Sequence, residues 1–155
     1  MRSLVQLIAA GLMALSCSQP LSVETFVRSS AKDASGRYPF ILCMDDSLAV
    51  YSIRFFTRMD ISADEFNGLQ DIAVDVLLES PSGKGYAERV YLGKKDFVSG
   101  RGFAKDYNMP YRTGFRPMEY GQWNMYLTLP EKAPADMVRG MGVCLSKQID
   151  GNGKR

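Results

Sequence analysis

Two stretches of this chain alternate apolar and polar side chains strictly, and that period of two fixes the fold class. Across residues 71–79, Ile72, Val74, Val76 and Leu78 fall on one side, and Ala73, Asp75, Leu77 and Glu79 on the other. Across residues 122–129, Trp123, Met125, Leu127 and Leu129 oppose Gln122, Asn124, Tyr126 and Thr128. A helix repeats its faces every 3.6 residues and cannot sort such a pattern, whereas a half-buried strand does. Residues 48–57, rich in β-branched and aromatic side chains, and residues 86–92 predict further strands. Met141, Val143 and Leu145, alternating with Gly142, Cys144 and Ser146, predict a last one, and Val23, Thr25 and Val27 a weaker edge strand. The Ser-Pro-Ser-Gly-Lys-Gly sequence at 80–85 is a turn, so the strands flanking it form a hairpin. Residues 130–139 are the best helical candidate, and the connection at 59–68 has room for one helical turn. Short strands with turns between them and little helix predict an all-β protein, an antiparallel β-sandwich of about seven to eight strands.

The amino terminus reads as an address. Arg2 precedes an uncharged apolar run at 4–15, as in a secretory signal peptide. The run is too short to span a bilayer, which takes about 20 apolar residues. Ser16-Cys17 follows directly, which resembles a bacterial lipoprotein signal: the chain is cut before Cys17 and its thiol is acylated, palmitate being one acyl source. The expected organisation is a lipoprotein signal peptide at 1–16 and a lipidated tether with the edge strand and a polar loop at 17–36. The β-sandwich domain follows at 37–149, then a disordered, Gly-rich charged tail at 150–155.

Charge and residue types narrow the function. With 19 basic and 17 acidic residues the chain is close to neutral, and losing Arg2 with the leader brings it closer, so nucleic acid is not an expected partner. There is no histidine. That rules out Ser-His-Asp and Cys-His catalysis in their usual forms, and histidine-containing zinc sites. Once Cys17 is lipidated, Cys43 and Cys144 remain as an even pair, either a candidate disulfide or two separate thiols. Spacing alone does not decide between them.

Other motifs dissolve on inspection. Ser82-Gly83-Lys84 lacks phosphate-loop spacing and a following helix, and Gly100-Arg101-Gly102 is too short for a dinucleotide fingerprint. Asp45-Asp46-Ser47 lacks the ligand pattern of a calcium loop. The remaining carboxylates are scattered, with no pair selected for acid–base work. No metal, cofactor or catalytic residue is therefore expected. Residues 94–120 interleave cations (Lys94, Lys95, Arg101, Lys105, Arg112, Arg116) with aromatics (Phe97, Phe103, Tyr107, Tyr111, Phe115, Tyr120). Most of the aromatics are expected in the core. A partner-binding surface is nonetheless expected here first, with Tyr107, Tyr111 and Arg112 as candidates, because Tyr and Arg concentrate at interfaces.

The order of features resembles the gliding-motility lipoprotein H family. The signal and Cys17 come first, then Asp46-Ser47-Leu48 opening a strand, and the Pro81-Ser82-Gly83-Lys84 turn. Gly100-Arg101-Gly102-Phe103, Asp106-Tyr107, Pro110-Tyr111 and Phe115 follow. Gly121-Gln122-Trp123 and Val138-Arg139-Gly140-Met141-Gly142-Val143 complete the series. The resemblance covers roughly residues 17–148. It implies a non-enzymatic accessory lipoprotein, a structural or assembly component of gliding-motility or linked secretion machinery. It also implies an outer-membrane location, protein partners in an envelope complex, no cofactor, and Cys17 as the lipid attachment site. The absence of an acidic run after Cys17 points, by analogy, to the periplasmic side. The alternative is a carbohydrate- or ligand-binding lipoprotein, which a solvent-exposed cluster among Tyr107, Tyr111, Tyr120 and Trp123 would favour.

Overall fold

The computed structural model describes residues 21–149, which form nine strands in two antiparallel sheets. The sandwich expected from the alternation is the fold. The signal peptide, Cys17 and the tail at 150–155 lie outside the described residues. The strands are β1 (Ser22–Arg28), β2 (Tyr38–Met44), β3 (Ala49–Asp60), β4 (Ile72–Glu79), β5 (Gly85–Leu92), β6 (Phe97–Arg101), β7 (Ala104–Phe115), β8 (Gly121–Thr128) and β9 (Val138–Ile149). One sheet runs β1-β9-β3-β7-β6 and the other β2-β8-β4-β5. Two short helices join strands: α1 (Ala63–Gly68) between β3 and β4, and α2 (Lys132–Met137) before β9. Ser62 starts α1 with a capping box, accepting from the Glu65 amide while the Glu65 carboxylate accepts from the Ser62 amide.

The period of two does the sorting. Tyr51, Ile53, Phe55 and Met59 of β3 and Met141, Val143 and Leu145 of β9 point inward from the five-stranded sheet. They meet Ile72, Val74 and Val76 of β4 and Trp123, Met125 and Leu127 of β8. At about 25 cal/mol per Å² of apolar surface, this shared core is the main stabilising term.

Three strands were not visible in the sequence pattern: β2, β6 and β7. In β2 the inward Tyr38, Phe40, Leu42 and Met44 are buried, but the outward positions include apolar Ile41 and Cys43, so no polar contrast marks the strand. Pro39 also argues against a central strand. It is tolerated because β2 is the edge of its sheet, where a missing N–H breaks no ladder on the open side. Pro110 in β7 stands past the point where β6 stops pairing, so there too the outer side is free. The edge strand expected from Val23, Thr25 and Val27 is β1, paired along its length with β9, so the sandwich begins at Ser22.

The candidate Cys43–Cys144 bridge does not form: both thiols are free. Cys43 points outward from the four-stranded sheet. Cys144 points outward from the five-stranded sheet, beside Glu24 and Arg54 on its neighbouring strands. Their side chains leave opposite outer faces, which no disulfide can span.

Candidate functional site

Outward positions along β9 read Gly140, Gly142, Cys144 and Ser146, small residues on a strand in the interior of the sheet. A strand without side chains leaves a trough, and its neighbours lean into it. Phe26 of β1 and Phe56 of β3 both stand opposite Gly142. Their rings lie 6.0 Å apart, inclined by only 23°. A Cβ on Gly142 would fall 2.3 Å from the Phe56 ring, and one on Gly140 would fall 2.7 Å from the Phe26 ring and 2.4 Å from the Val27 carbonyl oxygen. The two phenyl rings therefore rest directly on the glycine backbone, side by side, as the floor of a groove. This close approach is what the glycines permit. Thr57 Oγ1 donates to the Gly140 carbonyl at 2.6 Å and holds the strand in place beneath them.

The groove has a volume of about 880 Å³ and is open to solvent. Its walls include Glu24, Arg28, Arg58, Asp106, Asn108 and Arg139, with Val98 63 % exposed at one lip. Phe26 is itself 44 % exposed, a large apolar ring left uncovered. Several of the wall charges are held in ion pairs. Arg58 donates to both Asp106 oxygens, at 2.6 and 2.8 Å, and Ser99 adds a third bond at 3.3 Å. The Arg58 hydrogen bonds hold the Asp106 carboxyl below its ordinary value. Asp106 is thus kept ionised and doubly bonded, a group suited to orienting charge and unsuited to donating a proton near neutrality. Arg139 is paired with Asp60. Below the phenyl pair, Cys144 is buried beneath Arg54 and Ser22, whose Nη2 and Oγ lie 3.4 and 3.2 Å from its sulfur. Among the described residues, no group of three or more His, Cys, Asp or Glu is placed to hold a metal ion.

Of the candidates taken from the interleaved segment, Tyr107 borders the groove, and Tyr111 and Arg112 sit elsewhere. Tyr107 is 2 % exposed and belongs to the core, edge-on to Phe66 and Phe97, which corrects its assignment as a surface contact. Its hydroxyl finds no partner among the described residues, and burial pushes its pKa up. Tyr111 is half-buried, its ring stacked on Phe55 with centroids 4.5 Å apart. Its hydroxyl donates to Glu88 Oε1 at 2.5 Å, and Arg112 Nη2 reaches the same oxygen at 2.5 Å. Burial first, and Glu88 second, raise the Tyr111 pKa. Glu88 lies on β5, so this cluster ties the two sheets together. The structure unites Tyr111 and Arg112 but spends them on each other's partner. Trp123 is a core residue, donating its indole N–H to the Glu119 carbonyl at 3.0 Å, while Tyr120 is exposed. Hence the aromatic cluster that would have favoured sugar binding is not assembled at the surface.

Sequence reasoning missed the groove, though a signal for it was present. Glycines spaced by two in an otherwise apolar strand (Gly140, Gly142) mark a bare face, and Phe26 and Phe56 stand at outward parity in their own strands.

No protein-family model, curated protein or solved structure matches this chain.

Proposed function

We propose that this protein is a membrane-anchored accessory lipoprotein of the bacterial envelope, a non-catalytic assembly component that binds a protein partner in the Phe26–Phe56 groove. Acyl chains on Cys17 hold it to the outer membrane, facing the periplasm, and the machinery it serves is that of gliding motility or linked protein secretion. The observation that carries the binding role is the solvent-accessible phenyl pair on a glycine floor, walled by charges of which Arg58, Asp106 and Arg139 are held in ion pairs. An apolar centre with a polar, oriented rim is the anatomy of a protein interface. Fully burying an exposed phenylalanine contributes roughly 1.5–3 kcal/mol, and covering what remains accessible of the two rings supplies part of that from each, so the pair can anchor an interface. The family resemblance and the signal ending at Cys17 support the location and the process.

Chemical cross-linking of the intact lipoprotein in its native membrane tests this reading. The expected result is one discrete adduct that disappears in Phe56→Ala. A monomer that forms no adduct contradicts the assembly role. Cys17→Ala is expected to move the protein from the membrane to the soluble fraction, and unchanged fractionation would sink the anchor.

A second reading rests on the same two rings. Nearly parallel phenyl rings beside Asn108 and the Arg58–Asp106 pair also suit stacking against a sugar ring. Soluble glycan that displaces the cross-linked partner, and protects the groove by itself, would favour it.

A further inference from the structure

The two ends of the sandwich differ sharply. At the end where β1 begins, the exposed large apolar side chains are Leu21, Leu48, Met118, Tyr120 and Ile149, with Leu48 and Met118 70 % and 83 % exposed. Strand register gathers them. Leu21 accepts from the Lys147 amide at 2.8 Å, Ile149 pairs with Ala49 beside Leu48, and Gly121 beside Tyr120 pairs with Met44. Hydrogen bonds knit the loops into one surface: Arg116 Nη1 donates to the Ser47 carbonyl at 3.1 Å, and Glu119 accepts from Ser80, Ser82 and the Ser82 amide. Among the described residues, the opposite end exposes Phe103 in a loop, with Tyr91 and Val98 exposed on the flanks of the strands that lead to it.

Chain reach decides what covers this end. Ser22 opens β1, and only four residues separate it from Cys17. At no more than ~3.6 Å per residue, the start of β1 stays within about 18 Å of the acylated cysteine. The long strands β3 and β9 have 12 residues each, or roughly 40 Å of length at ~3.4 Å per residue. The tether therefore brings the apolar end, and not the far end, against the bilayer.

We propose that the end carrying Leu21, Leu48, Met118 and Tyr120 docks on the lipid surface, standing the strands off the membrane. This inference rests on the lipid anchor at Cys17. Leu48 and Met118 enter the boundary between headgroups and acyl chains, and Tyr120 sits at headgroup level, where an apolar ring with a polar tip is favoured. Phe26 and Arg28 lie toward the far end of β1, so the groove opens sideways and away from the lipid, accessible to a partner.

The test uses the full-length acylated protein in phosphatidylethanolamine and phosphatidylglycerol vesicles with brominated acyl chains. A polarity-sensitive fluorophore is attached to Leu48→Cys, Met118→Cys or, as the far-end control, Phe103→Cys, each in a Cys43→Ser background. Labels at 48 and 118 are expected to be quenched at least about twofold more than at 103, since docked interfacial groups lie ~5–10 Å deep. A protein that does not float with the vesicles overturns the anchor itself. A protein that floats with equal quenching at all three positions overturns the docking alone. Labels shielded in native membranes but unquenched in pure lipid vesicles assign this end to a protein partner and likewise overturn it. Adding Leu48→Asp to the Met118→Cys protein checks the cause: flotation persists and quenching at 118 falls to the level at 103.

Discussion

The two outer faces of the sandwich are built by the same alternation and differ in how their side chains are grouped. On the four-stranded face the outward charges pair with one another, and the exposed apolar residues Ile41 and Tyr91 stand apart on the two edge strands. Arg89 donates to both oxygens of Asp75 across the β4–β5 pair, and Arg37 lies 4.1 Å over the Tyr126 ring. The depression there, of about 500 Å³, includes these paired groups together with Leu77, Ala87 and Thr128. On the five-stranded face the corresponding interior strand presents Gly140 and Gly142, and two neighbouring phenyl rings, Phe26 exposed and Phe56 half-buried, lie in the resulting trough. Where side chains are withheld, aromatic rings from the flanking strands can lean over the bare backbone and meet, which is the basis of the proposed binding surface.

The difference can be broken by mutation, and the largest effect is expected at the rings. Phe56→Ala should weaken partner binding by ~2 kcal/mol or more, as interface anchors do, with folding retained. Arg89→Ala on the other face should change stability by under ~1 kcal/mol, as exposed ion pairs do, and leave binding unaltered. Titration of the partner against each variant separates the two. Equal losses from both would erase the contrast between the faces.

Next comes the floor. Gly140→Ala places a methyl group against a backbone carbonyl that cannot swing aside, and should cost ~1–3 kcal/mol in denaturant unfolding. Gly142→Ala meets the Phe56 ring instead, which can rotate away. It should cost less stability yet still reduce binding, because the platform is lost.

Tyr107 sharpens the comparison from inside. As a core residue whose hydroxyl has no partner among the described residues, Tyr107→Phe should be neutral or stabilising by up to ~1 kcal/mol, with partner binding unchanged. A loss of binding would restore it as a contact residue.

The smallest effect concerns pH. Hydrogen bonds from Ser82, chiefly its hydroxyl, hold the Glu119 carboxyl below its ordinary value of 4.5. Its stabilising contribution is present above that value and is lost as pH falls through the lower folded value. Thermal melts should show wild type losing more stability on acidification than Glu119→Gln.

Strict alternation made β4 and β8 readable from sequence, because buried and exposed positions there differ in chemistry. The same rule failed for β2, where Ile41 and Cys43 put apolar groups on the outside, and for β7, where Asn108, Pro110 and Gly114 look like loop residues. The site was harder still. Phe26, Phe56, Gly140 and Gly142 come from three strands far apart in the chain, and only sheet register brings them together. Tyr107 and Tyr111 drew attention through composition, which cannot say which way a ring points.

A photo-activatable residue placed at Val98, on the lip of the groove, tests the central claim most directly when compared with one at Ala87 on the opposite face, both in the intact protein in its native cell envelope. The account predicts one discrete protein adduct from position 98, none from position 87, and loss of that adduct in Phe56→Ala. Adducts of equal yield from both positions, or an adduct from 98 that survives Phe56→Ala, would contradict it.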